Sequence, residues 1–196
     1  MKATKVEYIP EIASQFKVAS HPKSKSGYPV YQAFAGRFRF RDTIAKHGKE
    51  SVIYYWMQLL AKAESFIVDW NRGLHKQYGN SVSNWPLSRK SWVILDMASI
   101  QYMELLSRDV ISIFLALVKM AINYFPAIEG NLIFLNAGRI MEFFFKMIRP
   151  MLKGSNIDMY VMGSKDEKYK SFVLEYVDAN QLMESFGGIL SDDLLL

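Results

Sequence analysis

Few residues of this chain have the types and the spacing that covalent or metal chemistry requires. His21, His47 and His75 have no histidine or dedicated carboxylate at metal-ligand spacing, so a solvated role is favoured for each. The sequence contains no cysteine, which rules out a thiolate nucleophile, a disulfide or a thiolate metal site. Nucleophile-elbow, P-loop and dinucleotide-binding motifs are also missing. We therefore expect no enzymatic activity, no cofactor and no metal.

Asp96 is the remaining candidate for catalysis, because it ends a compact apolar run. In α/β enzymes the ends of such strands carry catalytic groups. No second catalytic side chain accompanies Asp96 in the sequence. Short acidic side chains often accept hydrogen bonds from the turn that follows a strand. We favour that structural role.

The basic residues are concentrated near the N-terminus. Residues 1–50 hold ten Lys or Arg and four Asp or Glu, a balance of +6, whereas the rest of the chain balances to −1. Within this part, an Arg-Phe-Arg-Phe-Arg segment runs from Arg37 to Arg41. It fits a surface that contacts phosphates of a nucleic acid or a membrane, or a strand edge whose aromatic side chains pack inward. We favour the strand edge and expect no nucleic-acid partner.

The most distinctive pattern lies in residues 136–154, for which we predict a helix capped by Asn136 and stopped by Gly154. Its polar residues recur at gaps of three and four and form one narrow stripe: Arg139, Glu142, Lys146, Arg149 and Lys153. The opposite face is wide and apolar: Ile140, Phe144, Met147, Ile148 and Met151. Such a face must be covered by a sheet, a lipid or a membrane. The periodicity alone favours the sheet.

The elements around this stretch alternate between strand and helix. The three-four spacing of apolar residues predicts a long helix from Glu50 to about Tyr78 and a largely buried one over residues 110–122, capped by Ser107. A further helix is expected from Asp166 to about Tyr176. Apolar runs predict strands over 28–35, 91–97, 131–136 and 157–162. This alternation predicts one α/β domain built on a mainly parallel sheet.

The composition favours a soluble, cytoplasmic protein. The chain has 196 residues, of which 51% are hydrophobic, enough for one domain with a substantial core. The first residues lack the apolar region of a signal peptide, and the longest nearly apolar run, residues 110–118, is too short to span a bilayer. The lack of cysteine also fits a reducing compartment.

In their order and spacing, several motifs resemble the CRAL-TRIO family, which comprises phosphatidylinositol-transfer, tocopherol and retinaldehyde carriers. The resembling segments are Gly27-Tyr-Pro-Val-Tyr, Ser91-Trp-Val-Ile-Leu-Asp, Asn123-Tyr-Phe-Pro, Asn131-Leu-Ile-Phe-Leu-Asn-Ala, Arg149-Pro-Met-Leu and Leu182-Met-Glu-Ser-Phe-Gly-Gly. They divide the chain into a basic N-terminal extension (1–26), the CRAL-TRIO-like domain (27–190) and a short tail (191–196).

The resemblance implies a twisted sheet that floors an apolar lipid pocket, with the helix of residues 136–154 as a movable gate. The pocket residues implied are Ser91, Val93, Leu95, Leu132 and Phe134, and the gate would use the apolar face described above. When the gate opens, Arg139, Lys146, Arg149 and Lys153 would contact an anionic membrane surface. We therefore expect a peripheral membrane protein that binds a hydrophobic ligand, foremost a phospholipid, and exchanges it between membranes.

Several positions depart from the family pattern. Ala127 and Asp158 stand where phosphatidylinositol-binding members carry an acid and a lysine, and Val93 replaces the threonine that follows the serine matched by Ser91. The helical lobe that precedes the first strand in most members is expected to be absent or reduced. These departures favour an alternative, a protein-interaction or regulatory module in membrane trafficking or GTPase signalling, whose pocket is filled by its own side chains.

Overall fold

The computed structural model describes residues 9–21, 27–79, 91–125, 130–163 and 168–194. The helices within these ranges are α1 (Pro10–Gln15), α2 (Phe40–His47), α3 (Lys49–Tyr78), α4 (Tyr102–Leu106), α5 (Arg108–Tyr124), α6 (Ile140–Leu152) and α7 (Lys168–Tyr176). The strands are β1 (Ala19–His21), β2 (Val30–Ala33), β3 (Ser91–Asp96), β4 (Gly130–Leu135) and β5 (Asp158–Val161).

The five strands form one sheet in the order β1-β2-β3-β4-β5. Strands β2 to β5 are parallel, whereas β1 pairs antiparallel with β2. The parallel strands follow each other in sequence with helices between them, which confirms the α/β architecture expected from the alternation of apolar runs. Strand β1 was not expected, because its three residues are too few to show a period.

The Arg37–Arg41 segment differs from the strand edge that the sequence suggested. Residues 35–37 form a 3₁₀ helix, and α2 begins at Phe40. The inward packing is nevertheless present, because Phe38 and Phe40 are buried against Phe16 of the N-terminal segment. The alternation of basic and aromatic residues from Arg37 to Arg41 therefore reflects burial of the two rings. Helical turns, and not a strand, place the rings in the core.

One face of the sheet is sealed by α7 and the C-terminal segment. Trp92 and Ile94 of β3 and Ile133 of β4 pack there against residues such as Val173 and Phe186. The C-terminal segment is also fixed by hydrogen bonds to Gln32 of β2.

Gln32 of β2 has no exposed surface, and its side-chain amide is fully used. Its Nε2 donates to the Gln181 carbonyl at 2.9 Å, and its Oε1 accepts from the Met183 N–H at 3.0 Å. The Phe-Gly-Gly motif that follows is required sterically, because a Cβ at Gly188 would collide with the Leu182 carbonyl. The strand that continues the first family motif is therefore joined in the core to the last one.

Helix α5 begins as predicted and is less buried than predicted. The Ser107 side chain accepts a hydrogen bond from the Val110 N–H and caps the helix. Only Val110 and Ile113 in this helix are fully buried, and most of its other apolar residues are half-exposed. The reason is that Phe114 and Leu117 face a cavity instead of a filled core.

Helix α6 is shorter at its start than the predicted span of 136–154. Asn136 does not cap the helix, because its backbone is left-handed, with φ of 53°. Its Nδ2 donates instead to Asp96 Oδ1 at 2.8 Å, which ties the ends of β3 and β4 together. At the other end, Gly154 adopts φ of 89°, in agreement with its predicted role as a helix stop.

Candidate functional site

The face of the sheet opposite α7 is the floor of a large cavity. Because side chains alternate along a strand, every second residue of β3 points to this face. Ser91, Val93 and Leu95 line the cavity, as do Leu132 and Phe134 of β4. These are the five pocket residues expected from the family resemblance. The pairing of Val93 with Leu132 and of Leu95 with Phe134 places their side chains next to each other.

Helices form the remaining walls of the cavity. One wall comes from the segment around α2 and from α3, through residues such as Phe40, Trp56 and Leu60. A second comes from α5, with Phe114 and Val118 among its lining residues. A third comes from α6. The cavity has a volume of about 290 Å³, and its surface is almost entirely apolar.

The size and lining of the cavity suit an acyl chain or a similar apolar group. An engineered apolar cavity of about 150 Å³ is already large enough to hold benzene. Along β3, the distance from Ser91 to Met97 is about 20 Å at 3.3 Å per residue. A flexible chain can therefore lie along the sheet and contact apolar side chains for most of its length.

Helix α6 covers the cavity with a face close to the one predicted. Phe144 and Ile148 line the cavity as expected, whereas Met147 packs against the adjoining core and Met151 is half-buried outside the lining. The side chain of Ile140 lies outside the described residues.

The sequence missed two further lining residues of α6, Met141 and Leu152. They continue the Phe144 and Ile148 row at gaps of three and four, so the buried face is rotated by about one residue from the predicted one. The three-four spacing of Met141, Phe144, Ile148 and Leu152 was the sequence signal that could have identified the two missed residues.

An aromatic bridge holds α6 over the cavity. Phe114 of α5 lies between Phe40 and Phe144, with ring centroids 4.8 Å and 4.9 Å away. The contact with Phe144 is edge-to-face, a geometry worth about 0.5–1.5 kcal/mol beyond its area burial.

The outer face of α6 is basic, with an exposed aromatic residue beside the charges. The side chains of Arg139, Lys146, Arg149 and Lys153 are all exposed, as the stripe predicted. Phe143 is 62% exposed and lies on the same helix. It lines a surface groove together with Tyr102 and Leu106 of α4.

Glu104 of α4 is a polar residue of the cavity wall that the sequence analysis did not single out. Its side chain lines the cavity and the residue is only 4% exposed. Its Oε2 accepts a hydrogen bond from the Arg41 N–H at 3.0 Å. Burial raises the pKa of the Glu104 carboxyl, with Asp42 acting in the same direction and Arg41 and Arg39 opposing. A lone acid within an apolar stretch was the only sequence signal.

At the opposite end of the cavity the polar groups are neutral. Ser91 and Asn131 line it there, near the start of their strands, together with Tyr31. Burial raises the pKa of the Tyr31 hydroxyl to about 12, so it remains a hydrogen-bond donor, at 3.5 Å from the Ala63 carbonyl.

The other residues weighed from the sequence lie apart from this cavity. Asp158, at a position linked to inositol headgroups in the family, is exposed at the start of β5, and Ala127 lies outside the described residues. Asp96 accepts hydrogen bonds from the Ala98 N–H and from Asn136, both at 2.8 Å, which agrees with its predicted structural role.

The described part of the chain offers neither a metal site nor a helix that spans a membrane. No cluster of three or more His, Asp or Glu side chains that could hold a metal ion occurs there. None of the helices described is both long and apolar enough to cross a bilayer.

Comparisons with known proteins agree with this geometry. The profile of the CRAL/TRIO domain matches residues 20–188. The crystal structure of Sfh5 superposes on the chain with a TM-score of 0.59 at 10% sequence identity, and the match covers 95% of this chain and 60% of that protein. At this identity the superposition shows a shared fold. None of the curated proteins gives a significant match.

Proposed function

Because the chain belongs to the CRAL/TRIO domain family, we propose that it binds a hydrophobic ligand in the cavity beneath α6 and exchanges it between membranes. Proteins of this family are typically lipid carriers rather than enzymes. We further propose that the ligand is a phospholipid, held by its acyl chains, and that the protein meets the membrane peripherally.

The observation that carries this proposal is the apolar cavity of about 290 Å³ between the sheet and three helical walls. Each methylene removed from water gains ~0.8 kcal/mol. A chain of about a dozen methylenes would therefore gain on the order of 10 kcal/mol, before the cost of ordering it. Met141 suits a variable chain, because the flexible methionine side chain adapts to irregular shapes.

The outer surface of α6 supports a route from the membrane to the cavity. Phe143 can enter the interface while Lys146 and Arg149 remain with the phosphates, as in amphipathic helices that lie on membranes. The same helix closes the cavity with its inner face. Movement of α6 would therefore couple contact with the membrane to release of the ligand.

An uptake and transfer experiment tests the function. The purified protein is incubated with mixed vesicles that contain phosphatidylcholine and phosphatidylinositol, separated from them by size exclusion and extracted with organic solvent. We expect about one lipid per chain, and delivery of labelled lipid to acceptor vesicles at a rate proportional to protein concentration.

Two results would change the proposal. If the separated protein holds no lipid from any vesicle, the carrier function is wrong, and the alternative of an interaction module in membrane trafficking or GTPase signalling takes its place. If lipid is bound and never delivered, the protein is a lipid sensor or store instead of a transfer protein.

A further inference from the structure

The cavity wall carries one charged side chain among its described residues, that of Glu104. Glu104 lies on α4, close to the carboxyl ends of the strands, whereas Ser91 and Asn131 lie at the other end of the cavity. Burying an acid in an apolar surface is unfavourable unless its oxygens are hydrogen-bonded. The position therefore calls for a partner.

Among the described residues, only one of the two carboxyl oxygens has a hydrogen-bond partner. Oε2 accepts from the Arg41 N–H at 3.0 Å, and the described residues provide no hydrogen bond to Oε1. The bond to the backbone fixes the carboxyl group in the wall. It leaves Oε1 as an acceptor for a ligand atom.

Two donors of the surrounding described residues have no acceptor, and neither atom presents surface to the cavity. In the described part of the chain, Arg39 Nη1 and Trp56 Nε1 are buried and have no hydrogen-bond partner. Trp56 lines the cavity, and its ring stacks on Phe40, the neighbour of Arg41 in sequence, with centroids 6.0 Å apart. Arg39 is near enough to act electrostatically on Glu104, although no ion pair joins them. A buried donor without a partner costs about 1–3 kcal/mol.

An acceptor oxygen in an otherwise apolar wall selects for a ligand group that can donate a hydrogen bond. A hydroxyl does so, whereas an ether oxygen, a phosphodiester or an ionised carboxylate only accepts. An anion would in addition be repelled by the carboxylate of Glu104. A hydroxyl is therefore the group that satisfies this end of the cavity.

We propose that Glu104 is a specificity-determining residue that accepts a hydrogen bond from a hydroxyl of the bound lipid at the α4 end of the cavity. This inference rests on the proposed function and narrows it to a class of ligand. The hydroxyl belongs to a neutral lipid such as a long-chain alcohol or a diacylglycerol, or to the headgroup of a phospholipid. The apolar remainder of the ligand lies along β3 and β4.

The test uses three ligands of equal chain length: tetradecanol, its methyl ether and tetradecanoic acid. Affinities are measured by displacement of a fluorescent probe from the wild-type protein and from Glu104→Gln. The glutamine can keep the bond from the Arg41 N–H through its amide oxygen, while it turns an amide N–H₂ donor toward the ligand.

We expect the wild type to bind the alcohol about 10- to 100-fold more tightly than the ether, the range given by a hydrogen bond to a charged group. In Glu104→Gln the alcohol-to-ether ratio should fall toward one, and the acid should gain relative to the alcohol. Equal ratios in the two proteins, or a wild type that does not prefer the alcohol, would overturn the proposal.

A second pair of ligands identifies the source of the hydroxyl. Phosphatidylglycerol and phosphatidylmethanol carry the same charge, and only the first has free hydroxyls. A preference for phosphatidylglycerol that depends on Glu104 assigns the hydroxyl to a phospholipid headgroup; its absence, with the alcohol preference intact, assigns it to a neutral lipid. Binding of every ligand without selectivity defeats this inference alone, whereas binding of none defeats the proposed function.

Discussion

At the scale of single residues, Glu104 is the charged side chain of the cavity wall among the described residues, and it is almost fully buried. Burial raises its pKa in the folded state, which means that folding favours the protonated form. Its contribution to stability is then complete below the unfolded pKa, about 4.3, and is lost as the pH rises through the folded pKa. The facing charges are Asp42, which adds to the shift, and Arg39 and Arg41, which oppose it.

Glu104→Gln should therefore stabilise the protein more at pH 8 than at pH 4. The glutamine has nearly the same shape and cannot ionise, so it avoids the loss that the wild type suffers as the pH rises. Urea unfolding of both proteins at each pH measures the difference in the free energy of unfolding. A difference that is the same at both values, or larger at pH 4, would contradict the assignment.

Asn136 is the residue that sets the start of the segment leading to α6. It combines a left-handed backbone with a 2.8 Å hydrogen bond to Asp96. Asn136→Ala should lose the hydrogen bond and should also strain the left-handed backbone, which alanine adopts poorly. Asn136→Gly should lose only the hydrogen bond, because glycine adopts this conformation readily. We expect the glycine variant to be more stable than the alanine variant by about 1 kcal/mol. Thermal and urea unfolding would measure this order, and the reverse order would show that the backbone conformation is not fixed at this position.

At the scale of elements, β3 offers the cleanest separation of cavity from core. Val93 faces the cavity and Ile94, its neighbour, faces the core sealed by α7. Val93→Phe should fill cavity space and lower lipid uptake at least tenfold. The free energy of unfolding should fall by no more than about 3 kcal/mol. Ile94→Val, the matched control, should cost about 0.5–1.5 kcal/mol and leave uptake intact.

The Val93 prediction is checked by comparing uptake and unfolding for both variants. Loss of uptake in Ile94→Val, or full uptake in Val93→Phe, would separate ligand binding from the cavity. An aspartate at Phe144 is less informative, because that ring is buried and a charge there would also disturb the fold.

Helix α6 should control contact with the membrane through its outer face. Each base near an anionic surface is worth ~1 kcal/mol, so replacing Lys146 and Arg149 by glutamate should weaken binding to anionic vesicles by at least about 30-fold. Lys62→Glu with Lys76→Glu on α3 makes the same change in charge at exposed positions of another helix. Vesicle sedimentation compares the two double variants. Equal losses would show a response to net charge, with no special role for α6.

At the scale of the whole molecule, the sequence predicted the order of elements well. All four predicted strands appear, as β2 to β5, within two residues of their predicted limits, because apolar runs bounded by polar turns leave little freedom. Strand β1 and the 3₁₀ turn at residues 35–37 could not be predicted, since each is too short for a period and depends on tertiary packing.

The cavity residues could be predicted where they follow the alternation of side chains along a strand. They could not be predicted where they depend on contacts between elements distant in sequence. The family resemblance implied Val93, Leu95, Leu132 and Phe134 as pocket residues, and they line the cavity because side chains alternate along β3 and β4. The position of Glu104 could not be derived, because it arises only when α4 folds against the backbone of α2 at Arg41. Specificity in an apolar site is thus decided by a contact between elements that are distant in sequence.

The central claim is that an acyl chain lies between the sheet and α6, and photo-crosslinking tests it most directly. A phospholipid with a diazirine near the middle of one acyl chain is loaded from vesicles, activated by light and located by peptide mass spectrometry. We predict crosslinks on the cavity face, at residues such as Val93, Leu132, Phe134, Phe144 and Ile148, and none at Ile94 or Ile133 on the opposite face of the sheet. Crosslinks confined to the outer groove around Phe143 and Tyr102 would contradict the account, because the lipid would then be bound on the surface.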